Sequence, residues 1–529
     1  MARSRSIQTR VFDMLHTPTF GMLLALRLVN AMLVQTYIHP DETWQSLEVA
    51  HKLVFGYGFV TWEWRHGLRG FAHPMLFACV YKALQVLGLD DTRLITFAPY
   101  VLVAVIAASV DYATYYFSRR VAGTDVAQWT LFCSLVSCTM SSGVMRPLAN
   151  SAETAFTAAA FVYWPWTRTP RTAQGSLFTA LVFAALACII RPTSGIIWIC
   201  AIFVLLVRQP SLRRATRILA LAIAIGVPAI SLMLIIDRVG YGMWKFPPYA
   251  FYLFNVREGL GTWFGESHPL YHVVVSMPVL FTTMLPFVIH GVWVAGQRMQ
   301  VTREPVYVAV GAIALFSLVG HMEYRFLYPL LPIGFMYAAV SIHTLTSKQS
   351  VTGQSKRSPW SVRRIAAFLL VTNIVPALYL NTVHQRGVVD VMSYLRLGAQ
   401  CGNVTNIGFL MPCHSTPYYS HLHANIPMWF LSCEPPLQAS GRDTHYWEAG
   451  EFEQRPNEFI HAMFANSSTS TRREKPSHLV LYDAMVVRVQ RTLNEVGYVE
   501  DKRFFNTQVN GDERRRGDVV VYRYNELLV

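Results

Sequence analysis

The chain has 529 residues, of which 53% are hydrophobic and only 14% charged, and its mean hydropathy is +0.31. A soluble domain carries about 25% charged residues; the deficit here is concentrated in repeated apolar runs, which describes a polytopic membrane protein and excludes an ordinary soluble enzyme. The net charge of +14 does not call for a nucleic-acid partner, because much of the basic excess lies in short loops between apolar runs, as the positive-inside bias requires.

In chain order, Arg3, Arg5 and Arg10 precede the first apolar run, Phe20–Tyr37, and place the N-terminus in the cytoplasm. No small-residue cleavage site follows this run, so it is expected to remain as an anchor. Further runs are Leu94–Phe117, Ala127–Met145, Thr154–Trp166, Leu177–Ile190, Gly195–Val207, Ala215–Ile236, His272–Ala295, Pro305–Val319, Phe326–Thr344 and Ile365–Leu380. They predict about eleven transmembrane helices. Alternation then puts Arg119-Arg120, Thr167–Gly175, Arg208–Arg217, Gln297–Glu304 and Ser347–Arg364 on the cytoplasmic side, and each carries Lys or Arg. Anchored at the N-terminus alone, the rule agrees at every later cytoplasmic loop.

The expected organisation is a transmembrane domain over residues 1–381 and a lumenal domain over 382–529. In the tail, Asn406–Met411, Leu479–Tyr482 and Asp518–Tyr522 read as strands and Met485–Val496 as a helix, so a small α/β domain is predicted. The tail carries two sequons, at Asn403 and Asn466, both on the side assigned to the lumen. Five cysteines, Cys79, Cys133, Cys138, Cys188 and Cys200, lie in or beside apolar runs. Cys401, Cys413 and Cys433 lie in the tail and allow three different single disulfides. No CxxC spacing suggests zinc.

The lumenal side collects the candidate chemistry. His39-Pro40-Asp41-Glu42-Thr43-Trp44 begins where the first span leaves the membrane, and Pro40 ends that span. In the helix expected after it, Asp41, Gln45 and Glu48 share one face, while Trp44, Leu47 and Val54 suit an interfacial helix. Asp41 can act as a simple cap, but adjacent carboxylates at a membrane exit are costly enough to favour a functional reading. Transfer of a sugar from a lipid phosphate to a hydroxyl needs one base, for which Asp41 and Glu42 are the candidates. The departing phosphate needs cations and hydrogen-bond donors. Arg146 and Glu153, then Arg191, then His321, Glu323 and Arg325 stand at lumenal ends of predicted spans. Each arginine alone could be a snorkelling anchor; together they suggest a site for phosphate or acceptor. Gln45, Glu48 and His51 are acceptor-side candidates. The aromatic loop Tyr241–His268, with Trp244, Phe246 and Tyr252, is a candidate for gripping a polyprenyl tail, and His268 beside it for reaching the phosphate. A monophosphodiester carries a single negative charge that arginines can hold, so no metal and no other cofactor is expected.

These residues carry a resemblance. His39–His51, followed by Phe55–Trp64, closely resembles a signature of the dolichyl-phosphate-mannose-dependent mannosyltransferases of the GT-C superfamily. That family also has an Arg-x-Leu-x-Asn-Ser-x-Glu stretch, matched by Arg146–Glu153, an Arg-Pro-Thr, matched at Arg191, and a His-Lys-Glu-x-Arg-Phe-x-Tyr-Pro motif, matched from His321 to Pro329. Leu410–Ser420 resembles the members that add the third mannose of the GPI anchor more than their siblings in N-glycan assembly. Met322 departs from the family's lysine, and Ser267–His272 is looser than its aromatic Thr-His-Pro stretch. The resemblance, from Val34 to Tyr522, implies a GT-C fold in the endoplasmic reticulum membrane and dolichyl-phosphate mannose as donor. It implies a GPI precursor with two mannoses as acceptor and an α1,2 linkage formed with inversion. A sibling mannosyltransferase is the nearest alternative; a lipid transporter or scramblase is disfavoured because no internal repeat is visible.

Overall fold

In the computed structural model, residues 18–167, 176–209, 211–297, 299–347, 349–351, 354–356, 361–436, 445–464 and 473–525 are described. Arg3, Arg5, Arg10, most of the loop Thr167–Gly175 and the sequon at Asn466 lie outside them. The chain forms two compact units, one from residues 1–32, 67–73 and 100–378, the other from 33–66, 74–99 and 379–529. A single cut at 381/382 therefore does not describe the organisation. The second unit begins close to that point but also takes in two early segments, including the acidic pair.

The first unit is helical. Among the described residues five helical stretches are long and apolar enough to cross a membrane: Leu94–Ala122, Leu212–Tyr241, His272–Ala295, Tyr324–Thr346 and Val362–Gln400, the last running on into the second unit. Shorter apolar helices are Phe20–Leu33, Leu177–Ile190, Pro192–Val207 and Glu304–Phe316. The predicted runs Ala127–Met145 and Thr154–Trp166 are also helical, as Thr124–Val136 with Cys138–Ser142 and as Ala149–Tyr163. The molecule is thus a multi-pass helical membrane protein. The first helix ends at Leu33, earlier than expected. The run His272–Ala295 is broken by Pro278, Pro286 and a left-handed Thr282 into short helical pieces. Asn373 closes that break, accepting from the Thr282 hydroxyl at 2.5 Å and donating to Thr283 Oγ1 at 3.1 Å. Irregular backbone at such depth needs polar partners of this kind.

Two features lock the helices together. Arg27, inside the first apolar run, is buried and donates to both oxygens of Asp111, Nε to Oδ2 at 2.7 Å and Nη2 to Oδ1 at 2.9 Å. The Ser134 hydroxyl adds a third donor to Asp111 at 2.6 Å. Leu285–Ala295 meets Leu331–Thr346 so closely that a Cβ on Gly291 would stand 1.7 Å from the Tyr337 carbonyl oxygen. Close approach through small residues is how membrane helices gain packing energy.

The second unit holds a five-stranded sheet. Its strands are β1 (Ile407–Phe409), β2 (Met428–Phe430), β3 (His478–Tyr482), β4 (Tyr498–Thr507) and β5 (Gly517–Tyr524). Their order is β2-β1-β3-β5-β4, with β1 parallel to β2 and β3, and β5 antiparallel to β3 and β4. Period-2 alternation divides the core. Val480, Tyr482, Val519 and Val521 face the helix Gly387–Gln400, with Val388, Val391 and Leu395. Leu479, Leu481, Val520 and Tyr522 face the helices Pro456–Phe464 and Asp483–Glu495.

The segment after the first helix joins the former layer. Val34–His39 is extended beside residues 380–385, with Gln35 N–H donating to Asn381 O at 2.8 Å and Tyr37 N–H to Gln385 O at 3.2 Å. Tyr37 and Trp44 belong to the sheet's own core. The helix after Pro40 is therefore not an interfacial one in the expected sense, because Trp44 and Leu47 are buried in protein. It also contains a π-helical turn, Thr43–Leu47, before the α-helix Glu48–Phe55. The wider turn shifts the helical register, and Asp41, Gln45 and Glu48 do not share one set of neighbours. Such turns are frequent at functional sites.

Candidate functional site

The candidate residues fall in two sets, one in each unit. In the first unit, helix Ala149–Tyr163 carries Asn150, whose amide donates to Arg325 O at 3.0 Å and ties the helix to the turn Tyr324–Leu330. Arg146, just before the helix, is fully buried with Nε donating to Ser142 O at 3.0 Å. Arg191, at the end of Leu177–Ile190, donates from Nε to Thr193 Oγ1 at 2.9 Å and lies 3.8 Å from Glu153 Oε2, its guanidinium 4.8 Å above the Phe326 ring. Arg325 grips Glu323 with Nε at 2.5 Å and Nη2 at 2.7 Å. Glu323 in turn faces His321 Nε2 at 3.4 Å. His321 Nδ1 lies 3.0 Å from Gly265 O, so that nitrogen carries the proton. The Glu323 hydrogen bond is the main cause that raises the His321 pKa, favouring the imidazolium.

The structure thus brings together Arg146, Glu153, Arg191, His321, Glu323 and Arg325. His268 joins this region only through backbone neighbours: Ser267 N–H donates to Gly320 O at 2.9 Å, while the exposed His268 ring accepts from its own Leu270 N–H at 3.2 Å. Met322, in place of the family's lysine, is buried. One cation was missed by sequence. Arg69 lies within electrostatic reach of Arg191, and its segment is anchored by Tyr241 Oη donating to Arg69 O at 2.6 Å and by Phe71 N–H donating to the buried Asp237 at 2.8 Å. The only signal was a basic residue beside Gly70 in a segment the charge pattern assigns to the lumen. With Arg69, four arginines gather with three carboxylates, Glu153, Glu323 and Asp237, an excess that suits an anion. Trp244, Phe246 and Tyr252 are exposed in this unit, Trp244 at 69%.

In the second unit the acidic neighbours are unlike. Glu42 is buried, and its Oε1 accepts from Ile38 N–H at 2.8 Å and His39 N–H at 3.4 Å, bonding back across Pro40. Asp41 is half-exposed. Gln45 donates to Glu63 at 2.8 Å and accepts from Trp64 Nε1 at 2.9 Å. Glu48 is fully buried and accepts from Tyr418 N–H at 3.0 Å, Ser420 N–H at 3.1 Å and the Ser420 hydroxyl at 2.6 Å. Its oxygens are engaged in holding the 418–420 turn, which corrects the acceptor-side expectation for this residue. His51 is likewise enclosed, with Nδ1 3.2 Å from Tyr57 O and Nε2 2.9 Å from His423 Nδ1. Burial, then His423, lowers its pKa to about 3, so it is neutral in use.

Of the three possible disulfides, Cys413–Cys433 is present, with Cα atoms 6.2 Å apart, and Cys401 is a free thiol. Two groups among the described residues come close enough to share a cation: Cys413, His414 and Cys433, whose cysteines are already bonded to each other, and Asp90, Asp91 and His423. In the second group His423 Nε2 lies 3.8 and 3.9 Å from the carboxylates. Asn403 is exposed.

Comparison with known proteins adds a separate line. Residues 18–423 match the model of the Alg9-like mannosyltransferase family. The chain is 39% identical to GPI mannosyltransferase 3 of Yarrowia lipolytica, over 95% of this chain and 96% of that protein. It is 35% identical to GPI alpha-1,2-mannosyltransferase 3 of Danio rerio, over 99% and 93% of the two chains. With the protein of that name from Homo sapiens it shares 35%, over 92% and 83%. Among solved structures, apo ArnT from Cupriavidus metallidurans superposes with a TM-score of 0.58 over 99% of this chain and 98% of that one, at 11% identity. The same enzyme bound to undecaprenyl phosphate gives 0.56 over 99% of each chain, at 12% identity. At such identity the likeness is one of fold.

Proposed function

The chain belongs to the Alg9-like mannosyltransferase family and is a glycosyltransferase, and we propose that it moves mannose from dolichyl phosphate onto the second mannose of a GPI precursor, in α1,2 linkage. The observation that carries this reading is identity of 35% or more over nearly the whole chain with relatives named for that step.

In the proposed reaction Asp41 takes the proton of the acceptor hydroxyl while that oxygen attacks C1 of the donor mannose. The bond from C1 to the phosphate oxygen breaks in line, the electron pair leaves with dolichyl phosphate, and the β-linked donor becomes an α-linked product. Asp41 is favoured over Glu42 because Glu42 is buried and bonded to the amides of Ile38 and His39. Arg146, Arg191, Arg325 and Arg69 are the proposed phosphate holders. Their excess over Glu153, Glu323 and Asp237 supports a reaction without a divalent metal. The exposed Trp244, Phe246 and Tyr252 suit a polyprenyl tail; ArnT, with the same fold, has been solved with undecaprenyl phosphate. We further propose about eleven spans in the endoplasmic reticulum membrane, with the second unit lumenal. The Cys413–Cys433 bridge and exposed Asn403 support an oxidising, glycosylating compartment.

The test is transfer in vitro from dolichyl-phosphate mannose to GPI acceptors carrying one, two or three mannoses. Only the two-mannose acceptor is expected to be extended, and extension of the three-mannose acceptor alone would refute the assignment. In the same assay Asp41→Asn is expected to lower kcat about a hundred-fold or more. Unchanged kcat would remove Asp41 from the reaction.

A further inference from the structure

His414 stands out in the second unit. Its φ is 57°, a left-handed conformation uncommon for a residue with a side chain. Such backbone persists where surrounding contacts over-determine it, and it gathers at ligand sites. Here the contacts are explicit. Cys413, immediately before it, is bonded to Cys433. Tyr37 Oη lies 3.0 Å from His414 O and 3.3 Å from Pro40 O, so one hydroxyl bridges the carbonyl before Asp41 and that of His414. Trp44 Nε1 donates to Thr416 O at 2.9 Å, and Glu48 holds Tyr418 and Ser420. The imidazole lies 4.3 Å from the Trp44 ring and 5.3 Å from that of Phe430.

All these bonds fix the backbone and ring plane of His414, and none uses its ring nitrogens. Among the described residues neither nitrogen has a hydrogen-bond partner, although the side chain is half-buried. Asp41 and Glu63 act on it electrostatically. Glu63 is itself oriented by Gln45 Nε2 at 2.8 Å and by the Thr61 hydroxyl. A half-buried ring with open nitrogens can pair with water or with the polar groups of a ligand. Carboxylates, an amide and a neutral imidazole are the groups that read sugar hydroxyls, each of which donates and accepts.

We infer that His414, with Glu63, hydrogen-bonds the acceptor sugar beside Asp41, and that the Cys413–Cys433 bridge fixes it there. The inference rests on the reading of Asp41 as the base. Burial lowers the His414 pKa to about 4, so near neutrality one ring nitrogen donates and the other accepts. The role is that of a specificity determinant on the acceptor side, with no part in holding the donor phosphate.

The test uses the full-length enzyme with dolichyl-phosphate mannose and the two-mannose GPI acceptor. His414→Asn, which tolerates left-handed backbone, and His414→Gly, which relieves it, are each expected to raise the acceptor KM ten-fold or more while the donor KM stays within two-fold. An unchanged acceptor KM in both variants would overturn the inference, as would an equal rise in both KM values. If His414→Gly matched the unsubstituted enzyme while His414→Asn did not, the imidazole would be irrelevant and the inference lost. Should the unsubstituted enzyme ignore the two-mannose acceptor yet extend another glycolipid, the proposed function would fall. The same comparison on that glycolipid would still judge His414.

Discussion

Asp41 and Glu42 are adjacent and chemically similar, yet their surroundings differ. Glu42 spends its carboxylate on the amides of Ile38 and His39, while Asp41 stays half-exposed. Nothing in the order of two carboxylates states this; it follows from the turn that Pro40 imposes. Glu48 carries a measurable consequence. Burial pushes its carboxyl from 4.5 up to about 7, against the lowering bonds from Ser420 and Tyr418. A carboxyl raised in the folded state keeps its proton longer there than in the unfolded chain. Its contribution is therefore full below about pH 4.5 and is lost as pH rises through 7. The loss is at most about 3 kcal/mol. Thermal unfolding across this range should show stability declining with pH in the native protein and a flatter curve in Glu48→Gln. The same slope in both proteins would assign the dependence to another group.

Elements differ in how openly the sequence declares them. β3 and β5 were readable because Leu479–Tyr482 and Val519–Tyr522 are apolar runs buried on both faces. β4 was not, because Glu500, Asp501, Lys502 and Arg503 give it the charge of an edge strand, which protects an open sheet edge from further pairing. β2 was not read either: it is as short as β1 but only partly buried. The first transmembrane helix hid something different: Arg27 was counted into an apolar run, and only its pairing with Asp111 explains how the helix tolerates it. Removing one partner of a buried pair leaves an unpaired charge and costs about 3–5 kcal/mol. Arg27→Met and Asp111→Leu should each lower the unfolding temperature of the detergent-solubilised protein markedly. The double variant should recover much of the loss. Additive losses in the double variant would mean that the two residues act independently.

For the whole molecule, the sequence placed the helices and ordered them. Each predicted apolar run contains a helix, and the fold is like that of ArnT from Cupriavidus metallidurans. The proposed lumenal orientation of the second unit has a direct test. Asn403 is exposed just after the helix Gly387–Gln400, so in cells it should carry a glycan. Asn403→Gln should abolish one glycosidase-sensitive increment in mobility. Absence of that increment in the native chain would argue against a lumenal second unit.

The amino-acid order by itself determined the membrane class, the helical runs and the motifs that carry the family, because these depend on local composition and spacing. Tertiary structure decided the rest. It assigned residues 33–66 to the same unit as the tail, because Tyr37 and Trp44 complete the sheet's core. It selected Cys413–Cys433, engaged Glu42 and Glu48 in backbone bonds, and brought Arg69 within electrostatic reach of Arg191. Each of these joins residues far apart in the chain or depends on what surrounds a side chain, and burial and partner geometry exist only once the chain has folded.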